Sequence, residues 1–268
     1  MSSLNHALRT SRAPRRVVAL IAVLSLIGCA GRSPRLRGSD EQFYQAQLLL
    51  EEGHTLEAIE AFEQLRTAYP GSRYVDAAIY GIGRAHFERG DHIVAATHFE
   101  RVVRDFPNSI YRPPARFKLA RCYDQVSLPA RLDQRYTILA VEQYSLYLVE
   151  FPDAKDRDPA FERLESLRAR LAEKEILTAE FYNRRDKYEA ALLFLDEALD
   201  RYRDTPLADR GELARSEALI GLGRTEEART LLESLSETAS DSEHRSTAIE
   251  RLRVLDANPE SLAEGAAG

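Results

Sequence analysis

Two cysteines are the residues of this chain best suited to covalent chemistry, and they stand in different surroundings. Cys29 follows Leu26, Ile27 and Gly28, a pattern in which small residues let a signal peptidase grip the extended chain. Because the thiol after such a segment accepts a diacylglyceryl group, we predict lipidation of Cys29 rather than a structural role. Cys122 lies late in a helical pattern, where a small buried thiol is expected.

Histidines and carboxylates predict no second reactive site. His86, His92 and His98 are spaced by six residues, which does not place them on one helical face. No cysteine or carboxylate completes a tetrahedral metal site with them. The chain has no glycine-rich phosphate loop, and acidic pairs such as Glu226 and Glu227 are expected on solvated helix surfaces. We therefore expect no catalytic residue, no metal and no cofactor.

The first 28 residues form a separate unit. An apolar stretch from Val17 to Ile27 follows four arginines: Arg9, Arg12, Arg15 and Arg16. This pattern is typical of a signal peptide, and the stretch is shorter than the roughly 20 apolar residues that span a bilayer. We predict that residues 1–28 are removed and that acylated Cys29 then anchors the protein, because two fatty chains already hold stably.

The residues after Cys29 predict where the folded part lies. Residues 29–38 are rich in Arg, Gly, Ser and Pro, which predicts a flexible tether reaching at most about 35 Å from the lipid. Ala30 follows the cysteine, whereas enterobacterial lipoproteins with Asp at this position favour the inner membrane. Because Ala30 is not Asp, the resemblance to these lipoproteins predicts a lipid-anchored protein on the periplasmic face of the outer membrane.

Composition limits both the partners and the fold. Loss of residues 1–28 removes four of the 37 basic residues and none of the 43 acidic ones, which lowers the net charge from −6 to −10. A chain this acidic is not expected to bind nucleic acid. Without Cys29, Cys122 has no disulfide partner, so the core must form by packing alone. A hydrophobic content of 44% with only 13 Gly and 11 Pro predicts one all-α architecture.

Aromatic–proline pairs reveal an internal repeat. Tyr69-Pro70, Phe106-Pro107 and Phe151-Pro152 each follow a helical pattern. Counting back from the first two pairs gives the small and aromatic residues of the tetratricopeptide repeat (TPR): Ala46, Gly53, Ala58 and Phe62, then Gly83, Gly90, Ala95 and Phe99. Small residues let the two helices of a repeat approach, and the aromatic ring fills the gap. The spacing predicts a right-handed TPR superhelix of about five helix-turn-helix repeats over residues 39–235.

The later repeats depart from this pattern. In the third, Ala120 and Ala140 stand 20 residues apart instead of 12, which predicts an insertion around residues 126–136. The fourth and fifth repeats keep the pattern more weakly, with Ala179, Asp186, Ala191 and Leu195, then Ser216, Gly223, Ala228 and Leu232. Before the fourth repeat, Asp158 is predicted to cap a helix of about 27 residues that runs to Asn183.

Residues 236–268 are predicted to hold a short helix and a disordered tail. The helical pattern covers residues 242–256 and places Ile249, Leu252 and Leu255 where they could cover the last repeat. The terminal face of a repeat array needs such a cap or a partner, because each repeat contacts only its neighbours.

Three segments go beyond generic repeat patterning. They are Leu-Asp-Gln-Arg-Tyr-Thr at residues 132–137, Arg-Leu-Ala-Glu-Lys-Glu at 170–175 and Arg-Tyr-Arg-Asp-Thr-Pro at 201–206. Behind a lipidation motif and a long connecting helix, these segments resemble the BamD family, the lipoprotein subunits of the outer-membrane β-barrel assembly machine. Arg203 stands where that family has a proline. The resemblance covers residues 39 to about 235.

The resemblance implies a binding scaffold. In that family the C-terminal repeats dock on a POTRA domain of the barrel-forming BamA subunit, and the N-terminal repeats help receive unfolded barrel precursors. Two alternatives remain open: a pilotin-like lipoprotein for a secretin or pilus system, and an adaptor that recruits a peptidoglycan enzyme.

The first helix of each TPR lines the concave face, so its exposed positions are candidate binding residues. One position carries an aromatic residue in the first three repeats, and the next turn carries polar or cationic residues that give way to Glu180 and Glu217. We predict a cleft on repeats one to three for an extended, aromatic-bearing segment, formed by Phe43, Gln47, Tyr80, Arg84, Phe87, Phe117 and Arg121.

The same residues allow an alternative interpretation. The aromatic side chains could instead pack within the superhelix, with Arg84 and Arg121 paired to the nearby Glu88 or Asp124.

Overall fold

The computed structural model describes residues 38–257, and all regular secondary structure in this range is α-helical. Its helices are α1 (Ser39–Glu51), α2 (Thr55–Ala68), α3 (Val75–Glu88), α4 (His92–Asp105), α5 (Arg112–Gln125), α6 (Arg135–Glu150), α7 (Arg157–Asn183), α8 (Tyr188–Tyr202), α9 (Ala208–Gly221), α10 (Thr225–Thr238) and α11 (Ser242–Ala257). The predicted signal peptide, Cys29, the tether up to residue 37 and the predicted tail after residue 257 lie outside the described residues. No helix in the described range is long and apolar enough to cross a bilayer.

Successive helices pack on each other as five hairpins, α1–α2 through α9–α10, which form the predicted TPR solenoid. The first helices of neighbouring hairpins also touch directly, as α1 touches α3 and α7 touches α9. First helices therefore lie on the inner side of the array.

Small residues allow the close helix packing that the repeat pattern predicts. A Cβ added to Gly83 on α3 would lie 2.8 Å from the ring of Phe99 on α4. Ala58 and Ala95 are completely buried at the corresponding point of the second helices. Phe62 and Phe99 are buried as well, so the aromatic rings fill the space between helices as predicted.

The turn inside a hairpin repeats the same backbone conformation. Gly53, Gly90 and Gly223 have φ angles of 80°, 84° and 71°, and Asp186 has a φ of 56° at the equivalent place in the fourth repeat. Glycine reaches this left-handed region without strain, whereas Asp is one of the few other residues that tolerate it. These four residues, aligned in the sequence, thus mark the end of the first helix in repeats one, two, four and five.

The insertion in the third repeat is a loop over residues 126–134, held from inside by Gln134. The Gln134 amide donates hydrogen bonds to the carbonyl oxygens of Leu128, Pro129 and Leu132 at 3.3, 2.8 and 3.1 Å. Its own oxygen accepts a hydrogen bond from the Thr137 hydroxyl at 2.8 Å. One buried side chain therefore ties together three carbonyl groups of the loop.

Helix α7 has the predicted 27 residues, but its start differs from the prediction. The residue before the helix is Asp156, and Asp158 lies within the first turn instead of capping it. There the negative charge of the carboxylate is stabilised by the positive end of the helix dipole, although the residue does not occupy the cap position.

All three segments that carry the family resemblance are tied to α7. From the helix, Arg170 donates to the Ser127 hydroxyl at 2.6 Å and Lys174 to the Leu132 carbonyl at 3.4 Å, which docks the loop. Arg168 binds the carboxylate of Asp204 at 2.5 and 2.7 Å, in the turn after α8. The long helix thus joins the third repeat to the fourth through side-chain contacts as well as through its backbone.

Helix α11 packs on the last hairpin. Leu255 and Ala248 are buried against Leu213, Leu232 and Leu235, and Leu252 is packed at the edge of this cluster. Ile249, predicted to share this role, is instead 38% exposed and lies outside this cluster. The buried stripe of α11 passes through Ala248, one position before Ile249.

Candidate functional site

Phe43, the first residue of the predicted aromatic face, belongs to the core. Its side chain is 5% exposed and stacks on Tyr74 with ring centroids 4.4 Å apart. Phe62 lies on its other side, at 6.2 Å. Phe43 is therefore unavailable to a ligand, and the alternative of internal packing is correct for this residue.

Tyr80 and Phe117 also contact the second helix of their own repeats. Tyr80 lies 5.6 Å from Phe99, and burial raises the pKa of its hydroxyl. Phe117 lies 5.3 Å from Tyr147 and 6.0 Å from Tyr144. Both rings are half-buried. The aromatic residues at this position in the first three repeats therefore serve mainly in packing, and they recur because each first helix meets its second helix in the same way.

Phe87 remains on the inner side, and two cations lie over its ring. The Lys118 ammonium is 4.8 Å and the Arg121 guanidinium 5.1 Å from the ring centroid. Both come from α5, three residues apart and hence on one helix face, while Phe87 comes from α3. We call Phe87, Lys118, Arg121 and the neighbouring Arg84 the Phe87 cluster.

The charges of the Phe87 cluster are only partly neutralised. Arg84 pairs with Glu88 at 3.4 Å, as the alternative interpretation expected. Asp124 is instead bound by Arg163, at 2.7 and 2.9 Å, so Arg121 stays without a carboxylate among the described residues. Burial, with the charges of Arg121 and Arg84, lowers the pKa of Lys118. The cluster can therefore bind carboxylate or carbonyl oxygens beside an aromatic surface.

Lys118 was missed by sequence reasoning, although its spacing from Arg121 could have indicated it. The predicted cleft included only its neighbour Phe117. Gln47, the equivalent of Arg84 in the first repeat, is half-buried and adds no charge. The candidate site is thus centred on the second and third repeats.

The acidic residues that occupy this helix position in the fourth and fifth repeats are both ion-paired. The Glu180 carboxylate accepts hydrogen bonds from Nε and Nη2 of Arg210, at 2.8 and 2.9 Å. Glu217 pairs with Arg251 of α11 at 3.6 Å. Each arginine lies at least 30 residues from its glutamate along the chain, so these ion pairs form only when the helices pack.

The remaining histidine and cysteine side chains form no metal site in the described part of the chain. His86 and His98, from adjacent helices, stack with ring centroids 5.5 Å apart, yet no group of metal-ligating residues is found in residues 38–257. Burial raises the pKa of Cys122 to about 12, which keeps the thiol protonated and unreactive near neutral pH.

The chain is similar to several known proteins. The chain is 27% identical to the outer membrane protein assembly factor BamD of Vibrio cholerae over 77% of this chain and 91% of that protein. The corresponding Caulobacter vibrioides protein is 22% identical over 80% of this chain and 72% of that protein. The solved TPR2AB domain of yeast Sti1, in complex with pHSP90, is 16% identical over 86% of this chain and 98% of that chain, with a TM-score of 0.39.

The family match covers most of the repeat array. The YfiO family, described as outer membrane lipoproteins, matches residues 37–235, which include all five hairpins up to the last turn of α10. The chain therefore belongs to the YfiO family of outer membrane lipoproteins.

Proposed function

We propose that this protein is a non-catalytic scaffold subunit of the outer-membrane β-barrel assembly complex. The family match and the BamD relatives, which are named as outer membrane protein assembly factors, support this role. The observation that carries it is the meeting of the three BamD-like segments at α7. Lys174 of the segment at 170–175 donates to the Leu132 carbonyl of the segment at 132–137, and Arg168, two residues before it, binds Asp204 of the segment at 201–206. Generic TPR packing does not require these contacts.

Several finer statements belong to the same proposal. Cys29 carries the lipid that holds the protein on the periplasmic face of the outer membrane. The C-terminal repeats bind a POTRA domain of a BamA-like barrel protein. The inner side of the second and third repeats binds unfolded barrel precursors.

The Phe87 cluster supports the precursor-binding part of the proposal. An extended precursor strand offers unpaired carbonyl groups and alternating apolar side chains. Lys118 and Arg121 can donate to the carbonyl or carboxylate oxygens, and the half-buried Phe87 ring beneath them can contact an apolar side chain. Phe43 plays no part in binding, because it is buried.

The complex can be tested by purifying the natively lipidated protein from its own membranes and identifying the bound proteins by mass spectrometry. Recovery of a POTRA-bearing barrel protein is expected. Recovery of a secretin or a peptidoglycan enzyme without any barrel protein would overturn the assembly role and favour one of the two alternatives.

Precursor binding predicts a specific effect of charge removal. Replacing Lys118 and Arg121 together by Gln should weaken binding of a peptide with the alternating aromatic residues of a barrel strand by about tenfold, equivalent to about 1.4 kcal/mol. Titration of the labelled peptide measures this change. The matched control replaces Arg101 and Arg104 of α4, which removes the same charge from an exposed surface. Equal affinity of both variants would contradict the proposed site.

A further inference from the structure

A second concentration of positive charge lies in a groove between the 126–134 loop, α7 and α9. Its cavity of about 350 Å³ is lined by four cations, Arg131, Lys174, Arg184 and Arg210, and by one carboxylate, Glu180. We call it the C-terminal groove. It lies away from the Phe87 cluster on α3 and α5, and its residues come from other helices and from the loop.

Most of the positive charge in the C-terminal groove is not neutralised. Glu180 is fully engaged by Arg210, through two hydrogen bonds of 2.8 and 2.9 Å. Lys174 donates only to a backbone carbonyl, at 3.4 Å. Arg131 and Arg184 are exposed, and neither guanidinium has an ion pair or hydrogen bond within residues 38–257. Three cations therefore face the groove with no carboxylate among the described residues to balance them.

The C-terminal groove also has an apolar surface. Phe181 and Leu177 line it beside the cations, and the Phe181 side chain is 42% exposed. Arg185 covers the Phe181 ring, with its guanidinium 4.2 Å from the ring centroid. A ligand that fits this groove must therefore offer both negative charge and an apolar group.

The shape of the groove favours an extended ligand. A second cavity of about 270 Å³ shares Glu180, Arg184 and Arg210 with the first and continues to Glu217 of α9 and Arg251 of α11, which pair with each other at 3.6 Å. The two cavities form one track across α7, α9 and α11. A compact phosphate headgroup needs only one such cavity, whereas an extended polypeptide can follow the whole track and place successive side chains along it.

We propose that the C-terminal groove binds an extended acidic protein segment, with carboxylates on Arg131, Lys174 and Arg184 and an apolar side chain against Phe181. The whole chain has a formal net charge of −6, so attraction of such a segment depends on local positive sites such as this groove. A local positive groove concentrates it in one place and speeds its association at low salt. The inference does not rest on the proposed function, because it concerns the chemistry of the ligand and not the identity of the protein that supplies it.

The test uses the full-length protein in mild detergent and a labelled extended peptide that carries several glutamates and one phenylalanine. Replacing Arg131 and Arg184 together by Gln should lower its affinity by about tenfold or more, because each charge-assisted contact is strong. Phe181→Ala should weaken binding of the same peptide but not of an analogue with alanine in place of phenylalanine. The Arg101 and Arg104 double variant serves again as the charge-matched control and should bind normally.

Four results would overturn the inference. The first is no measurable binding of the acidic peptide at low salt, and the second is equal binding of the groove variant and the control. The third is binding of phosphatidylglycerol vesicles, lost in the groove variant, without peptide binding, which would assign the groove to a lipid surface. A peptide in which glutamine replaces every glutamate should bind weakly, and tight binding of it would also contradict the role of charge.

Discussion

Single residues decide how closely the helices of this array approach. At Gly83 the absence of a Cβ leaves room for the Phe99 ring, and at Gly221 it leaves room for Tyr188, where an added Cβ would lie 2.3 Å from the ring. Gly81 has a similar close neighbour, the Phe62 ring at 2.5 Å, whereas a Cβ at Gly71 would meet nothing within 4 Å. The same amino acid therefore has different roles at different positions.

Gly83→Ala should lower the free energy of unfolding by about 1–2 kcal/mol, measured by urea denaturation. The added methyl group pushes the buried Phe99 ring out of its place, which outweighs the better helix propensity of alanine. Gly71→Ala is the control, expected to change stability by no more than about 0.5 kcal/mol. A Gly83→Ala variant as stable as the control would show that the ring shifts freely.

At the scale of the helices and loops, α7 organises the middle of the molecule. It packs on α6 and α8, receives the 126–134 loop through Arg170 and Lys174, and holds the turn after α8 through Arg168. The loss of proline at Arg203 does not free that turn, because Asp204 is anchored by the bidentate contact with Arg168. The loop in turn supplies Arg131 to the C-terminal groove, so the conformation of the loop affects the shape of that groove.

Gln134→Ala should destabilise the protein by about 2 kcal/mol, because carbonyl groups of the 126–134 loop lose their donor within a buried site. Urea denaturation measures the loss, and limited proteolysis should show earlier cleavage within the loop. Gln125→Ala at the exposed end of α5 is the matched control and should behave as the unaltered protein. An unchanged cleavage pattern in Gln134→Ala would mean that the loop is held mainly by α7.

For the molecule as a whole, α11 completes a solenoid that would otherwise expose the apolar side of its last hairpin. Leu232 and Leu235 of α10 are covered by Ala248 and Leu255 of α11, and Arg251 reaches back to Ser216 and Glu217 of α9. A repeat array is stabilised by contacts between neighbouring repeats. Loss of stability at one end therefore affects the inner repeats only through the adjoining interface.

Leu255→Ala should cost about 2–4 kcal/mol, since the side chain is 1% exposed and its removal leaves a cavity under α11. Thermal denaturation should show a lower Tm, and deletion of residues 240–268 should lower it further. Val254→Ala provides the control, because the Val254 side chain is 55% exposed. If the deletion variant kept the Tm of the full chain, α11 would not act as a cap.

The sequence by itself determined the repeat architecture, the turn positions, the widened third hairpin and the length of α7. These features depend on spacing along the chain, since packing between adjacent helices needs small and aromatic residues at regular intervals. The tertiary structure decided which of the singled-out side chains remain available for binding. Phe43 is buried by Tyr74, and Asp124 is bound by Arg163 instead of Arg121. Glu180 is neutralised by Arg210, thirty residues away along the chain. Burial and ion pairing depend on residues that meet only after the helices pack, and no local spacing encodes them.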